Sequence, residues 1–241
     1  MGIIQTEILP ICKSLLLNKN IQFEFMIRVK ICCINSEDEA RIAINSGASA
    51  IGLVARMPSG PGPIADELIR QIAKTVPPPV ATFMLTSETS VEKIIEHHRR
   101  TNTNTIQIVD KLSSGTYYQL KSALPDTKIV QVIHVIDESS VDEALAISVM
   151  VDAILLDSGN PKLKIKELGG TGRVHNWKLS RLITETIKCP VFLAGGLNPD
   201  NVRQAIDEVQ PFAVDVCSGV RTDGHLDRKK VELFIRNAMG N

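Results

Sequence analysis

From Arg28 onward the chain alternates short apolar runs with amphipathic stretches. The runs are VKICCI (29–34), AIGLV (50–54), VATFML (80–85), TIQIV (105–109), KIVQVIHV (128–135), AILLD (153–157), VFLAG (191–195) and FAVDVC (212–217), eight in all. Each is rich in β-branched residues and nearly continuous in apolar character, as parallel strands buried on both faces should be. The stretches between them carry helical spacing. SEDEARIAINSG sets Ser36 three residues before Glu39, the pattern of a capping box, and stops at Gly47. After Ser90, Val91, Ile94 and Ile95 form an apolar stripe, and the adjacent His97, His98, Arg99 and Arg100 read as a solvated face. In NPDNVRQAIDEV, Asn198 precedes Pro199, a residue favoured at the first helical position. The last stretch, DRKKVELFIRNAMG, gathers Val231, Phe234, Ile235 and Ala238 on one side.

Eight strand–helix units close into a barrel or lie open as a doubly wound sheet. An open sheet that binds a dinucleotide carries a glycine-rich turn after its first strand. Here that turn reads CCINSEDEA, without glycine. The glycines come late instead, in GGTG (169–172), AGGLNP (194–199) and CSGV (217–220). Barrels often place phosphate in the loops after their last strands. The α/β class therefore resolves to a single (β/α)8 TIM barrel with parallel strands. The 241-residue length suits one such barrel, which runs to about 250 residues. The reading divides the chain into an N-terminal extension over 1–26, disordered or weakly docked, and a barrel over 27–241.

Composition narrows the partners. Lys+Arg and Asp+Glu number 27 each, and there is one Trp and two Tyr, so neither a basic patch nor a set of stacking rings points to nucleic acid. No apolar run reaches the ~18 residues of a membrane span. The five cysteines are odd in number and form no CxxC pair. That usage suits a reducing, cytoplasmic setting and argues against both a disulfide framework and a zinc site. The partner this leaves is a small phosphorylated molecule, bound by local geometry.

Glycine suits phosphate because a backbone without Cβ comes close and aims several N–H groups at one anion. Gly170, Gly172, Gly195, Gly196, Ser218 and Gly219 are the candidates. Asp157 ends its strand, where a carboxylate either reaches the active face or caps the next loop. Cys32 shares the inward face of the first strand with Lys30, and a cation there would lower the thiol's pKa. An inert packing cysteine is the alternative. Cys33 points away, into the strand–helix layer. Gln107 alternates with Ile106 and Ile108 and faces the interior, as ligand or as core filler. His134, alone among apolar neighbours, reads as structural.

These motifs, with ILLDS (154–158), GGTGRVHNW (169–177), LAGGLNPDNVRQAI (193–206) and PFAVDVCSGV (211–220), resemble the phosphoribosylanthranilate isomerase family from Arg28 to Gly240. The resemblance implies an Amadori rearrangement in tryptophan biosynthesis, by a monomer or homodimer without cofactor or metal. It places the general base on Cys32 and the general acid on Asp157. Departures fall elsewhere. The family's Lys-Ile-Cys-Gly becomes KICC, with Cys33 in the glycine's place, and its Gln-Leu-His-Gly becomes QIVD (107–110). Its Phe-Asp-Trp becomes HNW (175–177). The loop ARMPSGPGPI (55–64) lacks the arginine that meets the anthranilate carboxylate, with Arg56 shifted along it. Three readings follow: a genuine isomerase of this kind, a paralogue opening another phosphoribosyl amine or sugar phosphate, or a barrel that only binds.

Overall fold

The computed structural model describes residues 26–159 and 174–240. Among them, eight strands follow one another around a closed parallel barrel: β1 (Arg28–Ile31), β2 (Ala50–Val54), β3 (Ala81–Thr86), β4 (Thr105–Ile108), β5 (Lys128–His134), β6 (Ala153–Asp157), β7 (Val191–Leu193) and β8 (Ala213–Val216). Every apolar run forms a strand. The helices that follow them are α1 (Glu37–Asn45), α2 (Asp66–Thr75), α3 (Val91–Thr101), α4 (Tyr117–Ala123), α5 (Ser139–Ser148), α6 (Trp177–Thr186), α7 (Val202–Val209) and α8 (Arg228–Met239). GGTG, and with it Gly170 and Gly172, lies outside the described residues, as do residues 1–25.

Strand periodicity sorts the side chains into two cores. Val29, Ile31, Ile51, Leu53, Met84, Ile106, Ile154, Leu156 and Val214 pack outward against the helices. Cys32, Ala50, Val54, Phe83, Leu85, Val130, Ala153, Leu155, Phe192 and Ala213 fill the barrel. Each fully buried aliphatic side chain contributes roughly 1.5–3 kcal/mol, so the outer layer supplies most of the stabilisation. The barrel closes where β1 meets β8, with Lys30 opposite Asp215 and Ile31 opposite Val216. A hydrogen bond from Cys32 N to Val216 O, 2.8 Å, carries this ladder one step towards the C-terminal end.

Local signals hold with instructive exceptions. Ser36 Oγ accepts from Glu39 N at 3.2 Å. The Glu39 carboxylate, though, takes the Asn35 N–H and grips the Arg221 guanidinium, with contacts of 2.8 and 2.9 Å. The capping box is thus half made, its acid diverted to a long-range ion pair. Asn198 Oδ1 accepts from Asp200 N and Asn201 N, and Val202 N bonds Asn198 O, so Asn198 starts the turn that leads into α7.

The solvated-face reading of His97 and His98 is overturned. Both are buried. His97 lies between Thr86 Oγ1 and Asp66 Oδ1, each 3.0 Å away, and His98 Nε2 meets Thr103 O at 2.7 Å. Their positions continue the stripe of Val91 and Ile94 at helical spacing, and hydrogen bonds make the buried rings tolerable.

Candidate active site

The C-terminal ends of the strands surround a cleft of about 650 Å³ that includes open solvent. Cys32, Gln107, Asp157, Gly195, Gly196 and Ser218 all line it, six of the eight candidate residues that fall among the described ones. Lys30 sits deeper in the barrel, fully buried, and Gly219 follows Ser218 in the short 3-10 turn Ser218–Val220. His134 stays structural, half buried, with Nε2 3.0 Å from Val109 O.

Lys30 Nζ lies 2.9 Å from Asp215 Oδ1 and 5.2 Å from the centre of the Phe83 ring. Burial pulls the Lys30 pKa down, but the Asp215 carboxylate and the Cys32 sulfur outweigh it, so the ammonium is held above its ordinary value. Sequence reasoning missed Asp215. Its signal was present: Ala213 and Asp215 alternate inward on β8 as Lys30 and Cys32 do on β1.

Gly52 on β2 makes room for this cluster. A Cβ there would stand 2.6 Å from Cys32 Sγ, 3.0 Å from Lys30 Nζ and 3.2 Å from Cys32 Cα. The thiol answers to burial first, which pushes its pKa up to about 11; Lys30 pulls the other way and loses. The expectation that the cation would win is therefore corrected. A buried thiol leaves too little water to solvate its anion, and Asp215 spends much of the lysine's field. Cys32 rests as a thiol.

Asp157 closes β6, buried, with Oδ1 accepting from Ser158 N at 2.7 Å. His175 stands near it, its Nε2 2.7 Å from Ser180 Oγ. Burial lowers the His175 pKa to about 4 despite the opposing pull of Asp157, so the ring is neutral at pH 7. Gln107 is buried with its Oε1 unpaired among the described residues. Gly195 and Gly196 both take positive φ, +82° and +67°. At Gly195 a side chain would also meet Ser158 and His175 at 3.0 Å, so neither conformation nor space admits one. Gly219 packs against the backbone of Leu197 and Asn198, which joins the last two loops into one wall.

Two expectations about cysteine fail together. Cys33 does not point into the strand–helix layer, and the chain does form a disulfide: Cys33 is bonded to Cys217 across 184 positions, Cα–Cα 5.8 Å. Cys33 has φ +63°, which turns its side chain to the cleft. Barrel closure, not sequence proximity, brings the pair together. The loop after β2 also departs from expectation. Arg56 is exposed and does not line the cleft, whereas Met57, Ser59, Gly60 and Pro61 do. Among the described residues, no group of three His, Cys, Asp or Glu side chains is placed to hold a metal ion, and no helix is long and apolar enough to cross a membrane.

The family model for N-(5'phosphoribosyl)anthranilate (PRA) isomerase matches residues 29–237. The chain belongs to the phosphoribosylanthranilate isomerase family. It is 32% identical to the N-(5'-phosphoribosyl)anthranilate isomerase of Methanocella arvoryzae, covering 88% of this chain and 95% of that one. Against the enzyme of Methanothrix thermoacetophila the identity is 34%, covering 88% and 97%. Among solved structures, the phosphoribosylanthranilate isomerase of Thermotoga maritima superposes with a TM-score of 0.75 at 32% identity, over 90% of this chain and 100% of that one. A phosphoribosylanthranilate isomerase bound to reduced 1-(o-carboxyphenylamino)-1-deoxyribulose 5-phosphate superposes with a TM-score of 0.72 at 31% identity, over 90% and 100%.

Proposed function

We infer that this barrel catalyses the Amadori rearrangement of N-(5′-phosphoribosyl)anthranilate to its 1-deoxyribulose product, in tryptophan biosynthesis. The observation that carries the reading is convergence: a thiol and a carboxylate from β1 and β6 line one cleft with the glycine loops that follow β7 and β8. Family membership supplies the reaction. The backbone N–H groups of Gly195, Gly196, Ser218 and Gly219 take the phosphate. Gripping the phosphate away from the reacting carbons holds the sugar in register with the acid and the base.

In this reading Asp157 gives a proton to the furanose ring oxygen, and the C1′–oxygen bond breaks to leave a protonated Schiff base. Cys32, as thiolate, takes the C2′ proton and yields an enolamine, which tautomerises to the ketone. With substrate bound, Cys32 first passes its proton to Asp157, so the reaction starts from thiolate and carboxylic acid. The Schiff-base cation then favours the thiolate that burial disfavours, since a nearby positive charge lowers a thiol's pKa. Lys30 steadies that anion from below, and Gln107 Oε1 accepts a hydrogen bond from a sugar hydroxyl. Asp157 has lost one proton and Cys32 has gained one, so a single transfer between them resets the site.

A second reading keeps the chemistry and changes the aglycone. It rests on Arg56, which is exposed and outside the cleft where a cation would meet the anthranilate carboxylate. A turnover assay with freshly generated phosphoribosylanthranilate tests the first reading. Calorimetric titration of the reduced product analogue against ribose 5-phosphate separates the two. Equal affinities would favour the second reading, because only the shared phosphate end would be recognised.

A further inference from the structure

The Cys33–Cys217 bond stands where the barrel closes, one residue from Cys32 at the end of β1 and one from Ser218 in the phosphate wall. Both cysteines line the cleft, with Cys33 buried and Cys217 partly exposed. Several features make this junction sensitive to the state of the bond. Cys33 is held at φ +63°, a conformation that L side chains disfavour, in the place where the family has glycine. The loop after β2 folds over it so closely that a Cβ on Gly62 would stand 2.9 Å from Cys33 Cβ. The Arg221 guanidinium, tied to Glu39, donates to the Cys33 carbonyl from the other side. The bond therefore ties the end of β1 to the turn after β8, with the loop after β2 packed close against Cys33.

We propose that Cys33–Cys217 is a reducible modification site opening onto the active-site cleft, that small dithiols are its reductants, and that its state sets substrate affinity. Of the two sulfurs, Cys217 is the one a reagent entering the cleft reaches. A thiolate of the dithiol attacks Cys217 Sγ, the S–S bond breaks, and Cys33 leaves as a thiolate that takes up a proton. The second thiol of the reagent then attacks the mixed disulfide and releases Cys217 as a thiol. The protein disulfide gains two electrons and the reagent, now a cyclic disulfide, loses two. An added disulfide such as oxidised glutathione reverses the exchange. Once reduced, Cys33 is no longer tied in its disfavoured conformation and Ser218 loses the anchor beside it, so the phosphate wall loosens while Cys32 and Asp157 keep their strands.

Thiol trapping tests the bond without reference to any activity. Alkylation in denaturant, with no reductant, modifies Cys12, Cys32 and Cys189 and spares Cys33 and Cys217; modification of all five cysteines overturns the proposal. Treating the native protein with dithiothreitol before alkylation adds those two sites, and their continued protection overturns it as well. The affinity effect rests on the isomerase reading and is read separately. Reduction raises KM about three- to tenfold and leaves kcat within about twofold, the mark of weakened phosphate holding; oxidised glutathione restores KM. If turnover is absent, titration with inorganic phosphate reads the same change. Cys217→Ser behaves as the reduced form and ignores dithiothreitol. Cys33→Gly, which accepts the positive φ, does the same and keeps the test open should the serine variant fold poorly. An unchanged KM and phosphate affinity on reduction would overturn the role in affinity.

Discussion

The two ends of the barrel interior are built from different chemistry. At the C-terminal end stand a thiol, a disulfide, Gln107 and Asp157, with the Lys30–Asp215 pair beneath them. At the N-terminal end the interior is lined by Ala50, Ala81, Ala153 and Ala213, around a pocket, and by aromatic rings: Phe192 meets Phe83 edge-on at 5.6 Å and lies tilted against Phe212 at 5.9 Å. Both ends hang on the same strands, often two residues apart. The difference shows that one period-2 pattern builds a stabilising floor and a reactive mouth, and that residue type decides which. Charge is tolerated only where a partner or the open cleft meets it.

The largest break in that comparison comes from the acid and the base. Asp157→Asn and Cys32→Ala should each lower kcat by at least about 10²-fold while the melting temperature stays close to wild type. Steady-state kinetics beside a thermal melt checks both halves. Phe192→Ala should do the reverse, costing about 3–5 kcal/mol of stability with kcat nearly intact, because it empties the floor and leaves the mouth alone. Denaturant unfolding with an activity assay at low temperature would show it; a collapse of kcat in the folded variant would erase the division between the ends.

Gly52→Ala probes the join between the two. Its Cβ would press on Cys32 Sγ and Lys30 Nζ, so we expect roughly 1–3 kcal/mol of destabilisation from overpacking and a fall in kcat with KM little changed. The smallest effect concerns His175. Its pKa in the folded protein, about 4, lies below the ordinary histidine value of about 6.5, so the unfolded chain takes the proton first. Its contribution is therefore fully present above about pH 6.5 and is lost as the pH falls from there towards about 4. Melts across that range should lose part of their slope in His175→Phe. An identical slope in the variant would place the pH dependence on other groups.

The fold was legible because burial on both faces leaves an unbroken apolar run, and eight such runs separated by helical spacing admit few topologies. The lateness of the glycines then chose the barrel. Cys32, Gln107 and Asp157 were legible for the same reason, since alternation along a strand says which side chains face inward. Pairing across the closure was not. Nothing in the local pattern tells Cys33 that Cys217 lies opposite, or tells Lys30 that Asp215 does, because those contacts exist only once β1 meets β8. The positive φ of Cys33 was hidden too, since strand alternation assumes an extended backbone through the end of the run. His97 and His98 were misread because a polar residue at a stripe position looks solvated until Thr86, Asp66 and Thr103 arrive to satisfy it.

The central claim is that Cys32 removes the C2′ proton once Asp157 has opened the ring. The most direct measurement uses phosphoribosylanthranilate carrying deuterium at C2′. The account predicts a primary isotope effect under single-turnover conditions, loss of the label to solvent or the thiol, and no label loss in Cys32→Ala. Absence of an isotope effect in the wild type, or label lost at the wild-type rate in Cys32→Ala, would contradict it.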